Sequence, residues 1–443
     1  MKIAVVGGGF MGMALSFKLA GPGKELTLFE RNQQWGGLAT YHDYQDFVWD
    51  RFYHVILPQD RDLLGILHDL GLKDDLRWKQ TLTGYYVNEK FYSISNSKEF
   101  LLFPPLDPIS KFRLALTILR GSRINDWREL ENQTVEQWLV KMGGRKTFEK
   151  FWKPLLLAKL GENYTRVSAV FIWTYIKRLF AARDSSAQKE QMGYVAGGYR
   201  TVFDRLEYEL VNNGVALRNN TEVSHIRPAE NGGIYLTANG EEQYFDKVVF
   251  TSPSSVLDKV ADPSLYSTEG DHSKVEYLGV VCLVLRTTRE LTPYYVVNIS
   301  DQKIPFTGVI GMTALVDRQY TAGQHLTYFP KYIINTDPML QQSDEELKKA
   351  FLEGVKAMYP DLKEEEILGV HLNRAFRVQP LQVLNYDQIR PRTRTRHEDF
   401  YLLNTSQFIN DTLNNDSVAR HVNRFMEEFA QEFSARETSS SLA

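Results

Sequence analysis

Lys2-Ile3-Ala4-Val5-Val6-Gly7-Gly8-Gly9-Phe10-Met11-Gly12 stands directly after Met1, and Met13-Ala14-Leu15-Ser16-Phe17-Lys18-Leu19-Ala20 follows. The first five residues read as a buried strand. The stretch from Met13, with apolar Met13, Ala14, Leu15, Phe17, Leu19 and Ala20, reads as a helix. Strand, glycine turn and helix together form the unit that cradles a dinucleotide pyrophosphate. Gly7 permits the tight turn, Gly9 lets backbone approach phosphate, and Gly12 lets helix pack on strand. Phe10, Met11 and Gly12 complete the turn ahead of the helix, whose free N-terminal N–H groups and positive end suit an anion.

A second strand, Leu26-Thr27-Leu28-Phe29, ends at Glu30, 18 positions after Gly12. A carboxylate there can accept hydrogen bonds from ribose hydroxyls and would repel a 2′-phosphate. Arg31-Asn32-Gln33-Gln34-Trp35-Gly36-Gly37-Leu38 comes next. A second Gly-Gly just past the acid resembles the FAD proteins of the flavin amine oxidase, protoporphyrinogen oxidase and phytoene desaturase superfamily. In those proteins the loop wraps the pyrophosphate and ribityl chain. The amine oxidase form has arginine where this chain has Leu38, so the match leans toward the desaturase, protoporphyrinogen oxidase and UDP-galactopyranose mutase branches.

Two later stretches extend the resemblance. Gly197-Gly198-Tyr199-Arg200 opens an amphipathic helix with Val202, Phe203, Leu206 and Leu210, followed by Val215-Ala216-Leu217 and Val223-Ser224-His225-Ile226. The resemblance puts the Val223 backbone against adenine and Thr251, after Lys247-Val248-Val249-Phe250, beside the cofactor. His225 reads as a surface residue. The last stretch is Phe400-Tyr401-Leu402-Leu403-Asn404-Thr405-Ser406, then Asn414-Asn415-Asp416-Ser417-Val418. Relatives end this strand in Gly-Asp at the flavin; here Asn404-Thr405 hold that place. The following helix would aim its N-terminus at the flavin N1–C2=O edge, with Asn414 or Asn415 as N-cap and Ser417 and Val418 nearest the ring.

The resemblance implies an α/β fold: a discontinuous Rossmann-type FAD-binding domain over 1–75, 190–262 and 395–434. A substrate domain of mixed sheet and helices takes 76–189 and 263–394, and 435–443 form a disordered tail. Within it, Gly84–Ile94 reads as a hairpin about Asn88-Glu89, and 109–183 as mostly helical. Tyr277–Arg286, Tyr294–Ile299, Phe306–Leu315, Leu326–Ile333 and Val370–Val378 read as strands. Ser343 begins a helix that stops near Pro360.

Bulk composition agrees with such an enzyme. The chain has 443 residues, 43% hydrophobic and 24% charged, with a net charge of −3 that shows no bias toward nucleic acid. The single cysteine, Cys282, excludes an internal disulfide framework. Relatives with a thioether-linked flavin carry that cysteine near the C-terminus, so the resemblance implies non-covalent FAD. Lys2 before an apolar run imitates a signal peptide, but the glycine turn and the missing cleavage context speak against one. No run approaches the roughly 18 apolar residues of a bilayer span. The expected location is cytoplasmic, with a membrane-peripheral position left open by the basic amphipathic stretch Lys111–Arg123.

No Ser/His/Asp set and no metal spacing is present. In the superfamily the flavin takes the hydride and the protein supplies position and charge. Trp49-Asp50-Arg51-Phe52-Tyr53-His54 resembles a loop in desaturases and in the mutase that brings a histidine near the flavin. His54 is therefore a candidate acid/base, or a histidine packed in a domain interface. Arg377 and Tyr386, around Gln379-Pro380, are candidates to orient substrate; core packing or a surface salt bridge is the alternative. Trp152-Lys153-Pro154-Leu155-Leu156-Leu157-Ala158-Lys159-Leu160 and Phe171–Ile176 make an aromatic-rich wall, either of a channel or of plain core. The expected activity is dehydrogenation of an apolar or cyclic small molecule by hydride transfer to flavin N5. The alternatives are a UDP-sugar mutase-like enzyme using reduced FAD and a non-catalytic escort-type protein of the same fold.

Overall fold

The computed structural model describes residues 1–181, 191–266, 272–334 and 337–434. The tail expected over 435–443 lies outside the described residues. Five parallel strands form one sheet in the order Phe400–Leu402, Lys247–Phe250, Lys2–Val6, Glu25–Phe29 and Ala216–Arg218. Val5, Val249 and Leu28 are fully buried, as both-face coverage of a parallel sheet requires. The helices Phe10–Leu19, Arg61–Asp69, Tyr199–Asn212 and Asn415–Phe429 share one apolar cluster on one face. On the other, the antiparallel strands Val223–Pro228, Ile234–Ala238 and Glu241–Phe245 join the helix Ser254–Val260.

The second sheet has seven strands, in the order Ile367–Pro380, Tyr277–Thr287, His325–Ile334, Gly308–Gly311, Val296–Ile299, Thr83–Val87 and Lys90–Ser93. It is mixed, because Val296–Ile299 runs parallel to Thr83–Val87 while the other neighbours are antiparallel. Every residue of Tyr277–Thr287 is buried. Burial pushes the Cys282 thiol far above the usual range, so it is a core residue. The hairpin turns at Asn88 and Glu89, both at positive φ (51° and 58°), the pair a tight hairpin needs. Helix Asp344–Met358 covers one face, closed at its start by a reciprocal Ser343/Glu346 capping box.

The stretch Phe306–Leu315, expected as one strand, is strand only over Gly308–Gly311 and then turns into the short helix Met312–Leu315. Met312 and Leu315 are buried either way, so an apolar run of this length does not distinguish strand from helix. The aromatic wall is mostly core: Trp152, Leu156, Leu160, Phe171 and Trp173 are buried in one cluster. Tyr175 packs at the edge of that cluster with Lys159 over its ring, and both keep open surface. No helix among the described residues is long and apolar enough to cross a membrane.

Candidate functional site

The two glycine loops touch. Gly36 N–H donates to the Gly8 carbonyl at 2.8 Å, and Gly9 and Gly36 form an isolated parallel bridge. Gly36 takes φ 110°, and a side chain there would meet Phe203 at 2.6 Å. The helix from Phe10 has no side-chain cap at Gly9 and no acid in its first turn. Its leading N–H groups, those of Phe10, Met11 and Gly12, are thus left for a ligand. Thr251 donates from Oγ1 to the Gly7 carbonyl at 2.9 Å, which seats the end of the neighbouring strand on the turn.

Glu30 is buried at the end of the second strand, with Arg31 exposed beyond it. Its Oε2 accepts from Gly8 N–H at 2.8 Å, and its Oε1 accepts from the backbone and side chain of Asn32. Oε2 retains acceptor capacity for a ribose hydroxyl. Val223 belongs to the same apolar cluster as Phe29, and Thr221 N–H donates to the Glu30 carbonyl at 2.9 Å. The segments expected at adenosine thus lie together. Gly37 and Leu38 follow in a single helical turn against Gly9.

Tyr199 is where the remaining segments meet. Its ring lies 6.4 Å from Phe10 and 5.0 Å from His54, and its hydroxyl has Asn415 for a neighbour. Its backbone N–H donates to Asp50 Oδ1 at 2.8 Å. Gly198, at φ 74°, allows that approach, since a Cβ there would stand 2.8 Å from the same oxygen. Burial drives the Tyr199 phenol well above its ordinary value. His54 Nδ1 is 3.7 Å from Asp50 Oδ2, too long for a hydrogen bond, and is buried without a partner.

The helix Asn415–Phe429 starts as expected: Asn414 caps it by accepting from Ser417 N–H at 2.9 Å. Ser417 and Val418 are buried in its first turn. Asp416 Oδ1 accepts from Asp62 and Leu63 N–H, so one helix caps the start of another. Arg420 closes this corner by pairing with Asp416, Asp411 and Asp62. Burial opposes its charge, but Asp411 and Asp416 hold it above its usual value. Burial raises Asp416 and pushes Asp60 up to about 6, while Arg178, 3.2 Å away, pulls Asp60 down. None of these acids or arginines is marked in the sequence, because their partners lie up to several hundred residues away.

Two candidate site residues turn their polar groups into the protein. Tyr386, a candidate either to orient substrate or to pack the core, is buried and donates its hydroxyl to the Ser406 carbonyl at 2.7 Å, as the packing alternative implies. The Asn404 side chain, expected at the cofactor, donates to Ser252 O and Ser254 Oγ and accepts from Ser406 N–H. Its amide is spent on this buried junction, and Thr405, half-buried, is the residue left open beside it. Arg377 lies beside Tyr277 in the same region and shares no hydrogen bond or ring contact with His54.

The residues present fit FAD. Gly9 borders open space, since a Cβ built on it meets only Gly37 Cα at 3.9 Å. Around Tyr199, His54 Nδ1 is buried and unpaired. Such a group costs about 1–3 kcal/mol unless a ligand satisfies it. Glu30 would hold the ribose, the Gly7–Gly12 turn the pyrophosphate, and the Asn414-capped helix the flavin edge.

Similarity to known proteins agrees with this geometry. The sequence profile of the flavin containing amine oxidoreductases matches residues 12–405. The chain is 24% identical over 311 residues to a 4,4′-diapolycopen-4-al dehydrogenase of Metabacillus indicus, covering 63% of this chain and 62% of that protein. It thus spans less than two thirds of that curated relative. A solved oxidoreductase of Methanosarcina mazei has a TM-score of 0.75 at 19% identity, covering 96% of this chain and 100% of that one. Cyclohexylamine oxidase of Brevibacterium oxydans IH-35A has a TM-score of 0.69 at 13% identity, covering 97% and 99%. The chain belongs to the flavin containing amine oxidoreductase family.

Proposed function

We propose that the protein is an FAD-dependent oxidoreductase that dehydrogenates an apolar or cyclic small molecule. The observation that carries this reading is the meeting at Tyr199 of the glycine turn, His54 and the Asn414-capped helix. FAD held by the Gly7–Gly12 turn and Glu30 would supply the hydride acceptor, with oxygen, a quinone or another acceptor as the final oxidant. In this reading His54 takes the accompanying proton, and the Asp50 carboxylate 3.7 Å from its Nδ1 supports that role. The similarity to a protein named 4,4′-diapolycopen-4-al dehydrogenase supports a substrate with an apolar body.

The visible spectrum of the purified protein, before and after anaerobic dithionite, tests this reading. A flavin band that bleaches, with FAD released on heating, supports it; a colourless protein that takes up no FAD turns the reading to an escort-type role. His54→Ala is expected to retain FAD and to slow flavin reduction roughly hundredfold. An unchanged rate in stopped-flow reduction removes His54 from the chemistry.

We also infer a peripheral membrane contact at the helices Ser97–Leu102 and Pro108–Arg123. Leu101, Leu102, Ile109 and Phe112 are 65–69% exposed there, with Lys98, Arg113, Arg120 and Arg123 exposed around them. Large apolar side chains ringed by cations suit an anionic lipid surface. The protein is expected to co-sediment with phosphatidylglycerol vesicles. The double variant Ile109→Ser/Phe112→Ser should bind them about tenfold more weakly while keeping its flavin. Equal binding by variant and parent would sink the contact.

A further inference from the structure

Lys159 lies on the helix Lys153–Leu160, which packs against the helical wall and the seven-stranded sheet. Its Nζ stands 5.1 Å from the ring centre of Tyr175. Among the described residues it has no carboxylate partner and no hydrogen bond, and burial alone pulls its ammonium below the usual lysine range. An ammonium partly withdrawn from water without a counter-ion is unfavourable, and it persists where something else is to supply the charge.

A file of tyrosines runs from this lysine toward His54. Tyr332 and Gln379 flank Tyr175. The Tyr332 hydroxyl is 2.8 Å from that of Tyr53, the residue next to His54. Lys159, Tyr175, Tyr332 and Tyr53 all keep open surface although burial dominates the ionisation of each. Together these four side chains form one inward-facing wall. One end of that wall carries an unpaired cation, and the other reaches the residues around Tyr199.

We propose that Lys159 recognises a carboxylate on the substrate, so that the substrate is an apolar molecule with one anionic end. This rests on the oxidoreductase reading for the role of the opposite end. The apolar body lies along Tyr175, Tyr332 and Tyr53, and the carboxylate pairs with Lys159. A single compact ammonium suits one carboxylate.

The test is calorimetric titration of the FAD-loaded protein with dodecanoate, 1-dodecanol and dodecylamine below their aggregation limits. Dodecanoate is expected to bind at least tenfold more tightly than 1-dodecanol, with dodecylamine weakest. Lys159→Met should abolish the preference without weakening the alcohol, and Lys159→Arg should restore it. Equal binding of acid and alcohol by the parent, or a preference that survives in Lys159→Met, overturns the proposal. If Lys159→Met does not fold, the parent's ranking still decides, because tighter dodecylamine than dodecanoate binding also overturns it. Calorimetry does not depend on flavin. A colourless protein that still prefers the acid overturns only the oxidoreductase reading, whereas a yellow protein without preference overturns only Lys159.

Discussion

Gly9→Val is expected to give a folded protein that purifies without flavin. Gly9 has φ −68°, an ordinary value for any residue. A Cβ built there meets only Gly37 Cα, at 3.9 Å, which is normal contact. The protein therefore has little to object to. The branched side chain would occupy the space before the uncapped helix, where the pyrophosphate must come close to backbone N–H groups. Overpacking against a ligand that cannot retreat costs about 3 kcal/mol, roughly two orders of magnitude in FAD affinity. Flavin absorbance after gel filtration and the melting temperature of the apoprotein read the two halves separately. A variant that retains stoichiometric FAD would remove Gly9 from the phosphate site.

Gly12→Ala, three residues on, is expected to do the opposite and destroy the fold itself. The added Cβ would stand 1.9 Å from the Gly7 carbonyl oxygen and 3.0 Å from Thr251 Oγ1. The first of these is backbone in a turn held at φ 118°, so it has no rotamer to change. Alanine favours a helix by about 1 kcal/mol over glycine, but relieving the clash means separating helix from strand. We expect a loss of about 4 kcal/mol or more, a large share of a domain's usual 5–15 kcal/mol. Soluble yield and thermal unfolding measure it, and added FAD should not rescue the variant. A melting temperature within a few degrees of the parent would show that helix and strand part more easily than the geometry implies.

The contrast between these neighbouring glycines marks how far local sequence reaches. Gly7, Gly9, Gly12, Glu30, Gly36 and Gly37 lie within a few turns of chain, and their roles follow from spacing. The same holds for Asn414, whose side chain caps the helix three residues on. His54 is singled out by resemblance, but its surroundings are not. Asp50 and Tyr199 are 149 positions apart, and Asp416 reaches the Leu63 N–H across 353. Tyr386 is a position where sequence leaves substrate contact and core packing open. Its place just past the last substrate-domain strand allows contact with substrate, whereas its hydroxyl is consumed by Ser406.

The dinucleotide-binding unit, the parallel sheet that carries it and the flavin-family resemblance are all written in the amino-acid sequence. These depend on local backbone conformation and on short periodic patterns, which neighbouring residues impose directly. Folding in three dimensions is what leaves particular polar atoms unpaired, turns Asn404 and Tyr386 into the protein, and sets Lys159 against a tyrosine wall with no counter-ion among the described residues. Burial and pairing are properties of segments brought together from distant parts of the chain. The free energy of a charge depends on all of those neighbours at once, so no single stretch of sequence contains it.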